Sequence, residues 1–207
     1  MSKLGESRSK KTVRRPGQLR DEFRVREVMR ILQLPEYKVV NWSRSGHVNK
    51  SVSATVGAGR RKVFSRLDLY QTAIVAKLVG DGFDIRNDWI RLWVHFLFQP
   101  STVKIIDALE KQGQYPSGGV EYAPDVWEAG SKKLQEADWL DRQGRNRVFV
   151  VSGGWEPPSE KPRLIDRARG RGKTELRVAI DRQMKKNGSV YCLEIDQLLN
   201  GVDGRIL

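Results

Sequence analysis

Cysteine is almost missing: Cys192 is the only one in 207 residues. No internal disulfide can form, which favours a reducing, cytoplasmic setting, and the lone thiol reads as a small buried hydrophobe. No apolar run is long enough to cross a bilayer, so no membrane insertion is expected. The charged N-terminus is not followed by the apolar stretch of a secretory signal. Nor does any Ser, Cys or carboxylate constellation have the spacing of a catalytic site. The chain therefore reads as a non-enzyme with no cofactor.

Acidic charge is also short. Lys and Arg total 38 against 25 Asp and Glu, giving a net charge of +13. Such a balance suits a polyanion, because each neutralised phosphate releases condensed counterions. The excess is uneven. Residues 1–20 carry a net +6, residues 21–100 a net +5, residues 101–160 a net −3 and residues 161–207 a net +5. Two basic regions and a basic tail thus flank an acidic middle.

Residues 1–20 lack apolar periodicity and read as a disordered basic tail. Val28, Ile31 and Leu32 share one face of a short helix over Arg26–Gln33. Leu34-Pro35 breaks it, since the residue before proline avoids the α region. Pro35 can open a second helix to about Arg44, with Val39 and Trp42 inward, and Ser45-Gly46 stops it. From His47 to Phe64, Val48, Val52, Thr55 and Val56, a turn at Gly57-Ala58-Gly59, and Arg60–Phe64 predict a β-hairpin. Ser65-x-x-Asp68 is a capping-box variant opening a helix with Leu67, Tyr70, Ile74 and Leu78 on one face, ended by Gly80-Asp81-Gly82. Another helix runs from about Asn87 to Phe98, where Trp89 and Trp93 read as core, and Pro100 closes the segment.

The ordered series Phe23–Leu32, Val39-x-x-Trp42-x-Arg44-x-Gly46, Gly59–Ser65, Leu67-Asp-Leu69 and Gly80-Asp-Gly-Phe83 resembles the MerR-type winged helix-turn-helix of bacterial transcription regulators. The resemblance covers about residues 23–98 and implies one helix in the major groove with a wing along the backbone. It places Tyr37, Lys38, Asn41 and Arg44 on the reading helix, and Lys50, Arg60, Arg61 and Lys62 on the wing, against phosphates. That assignment suits the chemistry: Asn pairs bidentately with adenine, and Lys or Arg with guanine or phosphate. The chain departs from the family where arginines often stand, at Tyr37 and Val40. It also departs after Pro100, where Ser101–Lys111 is too short for the family's dimerising coiled coil. One cysteine with His47 and His95 cannot supply the thiolate cluster of a metal sensor, so no metal is expected.

Beyond Pro100, Ser101–Lys111 and Pro124–Ala137 read as helices, Arg147–Val151 as a strand and Trp155–Pro162 as a linker. Glu175–Ile180 and Ser189–Ile195 read as strands, and Asp196–Asn200 as a short helix. The expected fold class is α+β, a winged helix-turn-helix followed by a small mixed α/β region. The expected division is a tail at 1–20, a DNA-binding domain at 21–99, a mostly helical assembly or partner-binding region at 101–156 and a basic segment at 157–207. The function this predicts is sequence-dependent binding of double-stranded DNA by a nucleoid-associated bacterial or phage transcription regulator, with a homo-oligomer or protein partner held by the region after Pro100. Its rival is an excisionase-like, segregation or nucleoid factor that coats or bends DNA. A remoter rival is a nucleotide-using enzyme built on Gly170-Arg-Gly-Lys173-Thr174, although the first glycine of a phosphate loop is replaced by Arg167 and the residues before it are charged, unlike a buried strand.

Overall fold

Phe23 and Phe64 stand opposite each other in a two-stranded antiparallel ribbon, and both are buried. They belong to β1 (Glu22–Arg24) and β2 (Val63–Ser65). The computed structural model describes residues 22–48, 63–86, 93–94, 97–98, 121–122, 139–140, 143–152 and 162–206. Five helices and six strands lie among the described residues, an α+β architecture as the sequence leads one to expect. The expected tail, hairpin turn, helices at 101–111 and 124–137, and most of the linker fall outside them. Pro162, at the end of that linker, is buried.

Helix α1 (Val25–Leu32) follows β1 directly and buries Val28 and Ile31. The Arg24 N–H donates to the Glu27 carboxylate at 2.7 Å, which satisfies one of the donors left open at a helix start. At its far end Gln33 takes φ 54, in the left-handed region, and Leu34 N–H returns to the Met29 carbonyl at 3.1 Å. Pro35, with φ −67, then leads into α2 (Glu36–Arg44), which buries Val39, Trp42 and Ser43 against α1. Two short helices joined by a three-residue turn thus stand where the sequence leads one to expect them.

Ser65 and Asp68 form the capping box read from their spacing. Ser65 Oγ accepts the Asp68 N–H at 3.1 Å, and Asp68 accepts the Ser65 N–H at 2.8 Å. They open α3 (Arg66–Gly80), which is buried on more sides than the expected single stripe. Leu69, Ala73 and Val75 are buried along with Tyr70, Ile74 and Leu78, while Leu67 is only partly covered. The cause is a second neighbour, the C-terminal helix described below. The residues Trp93, Val94, Leu97 and Phe98 are helical and buried, as expected of a core.

The second sheet is mixed, with strand order β3-β5-β4-β6 for β3 (Glu121–Tyr122), β4 (Arg147–Ser152), β5 (Arg163–Asp166) and β6 (Val190–Glu194). Strand β4 is antiparallel to both neighbours, and β3 runs parallel to β5. Consecutive residues Val148, Phe149, Val150 and Val151 are all buried, so both faces of β4 are covered. On one face Phe149, with Leu164 and Leu193 opposite it, meets Trp93 edge-on at 6.1 Å. Tyr191 meets Phe83 there at 5.0 Å.

Helix α4 (Gly172–Asn187) packs on β4, β5 and β6. It replaces the strand expected at Glu175–Ile180. The apolar run Leu176-x-Val178-Ala179-Ile180 alternates like a strand, but Leu176, Ala179, Ile180 and Gln183 fall three and four apart and make the helix's inner face. Helix α5 (Ile195–Ile206) is longer than the short helix expected there, continuing through Gly201 and Gly204 because Leu199 and Val202 are fully buried. It lies against α1, α3 and β4, and Tyr70 donates its hydroxyl proton to Asp203 at 2.6 Å.

Two smaller expectations are corrected. Cys192 is exposed, because strand alternation turns it away from buried Leu193. Burial of part of its thiol, with Glu194 nearby, still raises its pKa despite Arg167, so it is a poor thiolate. The residues before Gly170 do include a strand, β5, with Leu164, Ile165 and Asp166 buried.

Candidate nucleic-acid interface

Residues 37, 41 and 44 fall at i, i+4 and i+7 of α2, a spacing that puts them on one face. That face is outward: Tyr37 is 62% exposed, and Asn41 and Arg44 are exposed. Lys38 is half-buried beside them. Val39 and Trp42, on the opposite face, are in the core. The stripe from Tyr37 to Arg44 is ~10 Å long at the helical rise, comparable with three base-pair steps. It offers one aromatic ring, one amide able to donate and accept together, and one guanidinium fork. Lys50, Arg60, Arg61 and Lys62 lie outside the described residues.

What holds this face in place is local at one end and distant at the other. At the start, Pro35 fixes the entry of the chain. At the end, Gly46 takes φ 79, and the His47 and Val48 N–H groups both return to the Trp42 carbonyl, at 3.0 and 3.3 Å. Gly46 is required there, because a side chain would strain the left-handed backbone. His47 then spans two elements. Its Nδ1 lies 2.5 Å from Ser45 Oγ, and its Nε2 lies 2.6 Å from the carbonyl of Ile85, in the segment after α3. A carbonyl can only accept, so Nε2 carries the proton. The lone histidine beside the helix is thus a hydrogen-bonding residue.

Three further arginines, Arg24, Arg26 and Arg30, are exposed on β1 and α1. In the sequence they are marked only by the helical offsets of Arg26 and Arg30 from buried Val28 and Ile31. Arg86 is different. Its guanidinium is bound through Nε and Nη2 to Asp84, at 2.7 to 3.1 Å, which raises its pKa and lowers that of Asp84. Its charge is met within the chain.

A buried ion pair ties β4 to α5. Arg147 donates to Asp196 through Nε at 3.0 and 3.2 Å and through Nη2 at 2.6 Å, and its backbone N–H donates to the same carboxylate at 2.6 Å. The guanidinium also stacks 4.0 Å from the Trp139 ring. Asp166, fully buried at the end of β5, accepts the Asn146 and Ala168 N–H groups, each at 3.0 Å. It shapes the turn Arg167–Arg171, after which Gly172 opens α4. A Cβ on Gly172 would sit 1.9 Å from the Asp166 carbonyl oxygen, so this glycine serves a close approach of backbone to backbone.

Among the described residues, no group of three or more His, Cys, Asp or Glu is placed to hold a metal ion, and no helix is long and apolar enough to cross a membrane. The chain matches no protein-family model and no curated protein.

Proposed function

We propose that this chain is a sequence-dependent double-stranded DNA-binding protein, a bacterial or phage transcription regulator whose first part is a winged helix-turn-helix of the MerR type. The observation that carries the reading is the outward stripe Tyr37, Asn41 and Arg44 on the second helix of a tight helix-turn-helix. The ribbon β1–β2 supports it, because it returns the chain to the start of α1 after residues 49–62, where a wing would project. In this reading Asn41 and Arg44 meet base edges, Tyr37 adds apolar contact and Lys38 meets phosphate. Lys50, Arg60, Arg61 and Lys62 supply the wing's backbone contacts, and the net charge of +13 supplies a salt-sensitive component.

Sequencing of genomic fragments retained by the purified protein, followed by footprinting, tests this. A short defined protected site is expected, and Asn41→Ala should cut the preference for that site by ~1–3 kcal/mol. Protection of extended tracts with no preferred sequence would replace the regulator with a DNA-organising factor. Retention of no DNA at all would remove the reading.

A further inference from the structure

The outer face of α4 is a basic surface whose cations are exposed among the described residues. Its inner face, Leu176, Ala179, Ile180 and Gln183, lies on the sheet, and Gln183 Nε2 donates to the Val150 carbonyl at 3.4 Å. Most of the other described positions after Gly172 face solvent, Glu175 being half-buried. Arg171, Lys173, Arg177, Arg182 and Lys185 are exposed there, with Asp181 the one exposed acid on the helix. Val178 and Met184, 47% and 45% exposed, stand between the cations. Lys173 to Lys185 spans ~18 Å of helix, the length of about five phosphate steps along one strand.

This face and the α2 stripe lie in different layers. Helix α5 packs on both α1 and α3, and Trp93 and Phe83 join that layer to the Phe149 face of the sheet. Helix α2 packs on α1 in the same layer, while among the described elements α4 packs mainly on the sheet. The four strands therefore separate the two faces.

We infer that α4 is a second duplex-binding surface, set across the sheet from the α2 stripe, so that one molecule holds two DNA segments together. The chemistry is charge complementarity to a phosphate backbone: cations at helical offsets, with little acid among them, give affinity without base readout. The inference rests on the reading of α2 as a duplex reader, and the experiment separates the two.

The full chain is mixed with an excess of duplex fixed to beads, and capture of a second, labelled duplex is measured at rising salt. The comparison variant is Lys173→Gln with Arg177→Gln, Arg182→Gln and Lys185→Gln, all exposed, with folding checked by circular dichroism. Wild-type protein should capture the second duplex. The variant should still bind the first within about threefold while its capture of the second falls about tenfold or more. Equal capture by the variant would overturn the inference, since bridging would then come from paired copies of the α2 face. So would binding of the first duplex with no second capture by wild type, or loss of anionic-vesicle binding in the variant without loss of capture. Failure to bind even the first duplex would remove the α2 reading itself.

Discussion

His47 donates from Nε2 to the carbonyl of Ile85 at 2.6 Å, linking the end of α2 to the chain that follows α3 across 38 positions of sequence. The bond is half-buried, so replacing the ring leaves the Ile85 carbonyl short of a partner. His47→Ala is expected to lower unfolding free energy by ~1–3 kcal/mol, read by urea denaturation. It should also weaken duplex binding, although His47 itself need touch no base. Unchanged stability would mean that the link does not hold α2.

Asp196 meets Arg147 in a pocket where both side chains are nearly fully buried. Removing one partner strands the other's charge, so Asp196→Ala should destabilise by ~3–5 kcal/mol. The double change Arg147→Met with Asp196→Leu should recover part of that loss. Recovery stays incomplete because the Arg147 backbone N–H also uses Asp196 and would lose its acceptor. Additive losses in the double-mutant cycle would contradict a direct coupling.

Gly201 sits mid-helix in α5, and a Cβ there would meet nothing within 4 Å. Gly201→Ala should therefore raise stability by ~0.5–1 kcal/mol, because alanine gives up less backbone entropy on folding. A drop in melting temperature would show that this turn of α5 is not helical in solution.

The Tyr191 hydroxyl donates to Asp81, which also takes the Lys77 ammonium at 2.6 Å. Burial opposes ionisation of Asp81, but the Lys77 and Tyr191 hydrogen bonds outweigh it and hold its pKa below 3.8. Burial first, then the bond to Asp81, raises Tyr191 well above its ordinary 10.0. The signs differ. Asp81 contributes stability above pH 3.8 that is lost as pH falls through its folded value; Tyr191 contributes stability below pH 10.0 that is lost as pH rises through its folded value. The stability difference between wild type and Tyr191→Phe should thus shrink above pH 10.0. A difference constant into that range would contradict the raised tyrosine.

The elements that could be read from sequence are those whose cause is local. Ser65-x-x-Asp68 caps its own helix, Leu34-Pro35 breaks α1, and Gly46 closes α2, each within a few residues. Helix α4 was misread because Leu176 to Ile180 fit both periods, and only the sheet beneath selects the helical one. The extra burial of α3 follows from Tyr70 meeting Asp203 far along the chain. The Ile85 partner of His47 and the Asp196 partner of Arg147 are likewise distant contacts with no spacing signature. In the candidate interface, the outward placement of Tyr37, Asn41 and Arg44 followed from the apolar pair Val39 and Trp42. The basic face of α4 did not, since its helix was not recognised.

We propose docking of a DNA duplex by the α2 stripe and the wing cations. Its most direct test is the affinity of the variant Arg44→Ala with Arg60→Ala and Arg61→Ala for a retained genomic fragment, titrated across salt. Loss of these contacts should weaken binding at physiological salt and reduce the slope of log K against log salt by ~0.9 for each phosphate contact removed. An affinity and slope equal to wild type, in a variant that keeps its fold, would contradict the docking model.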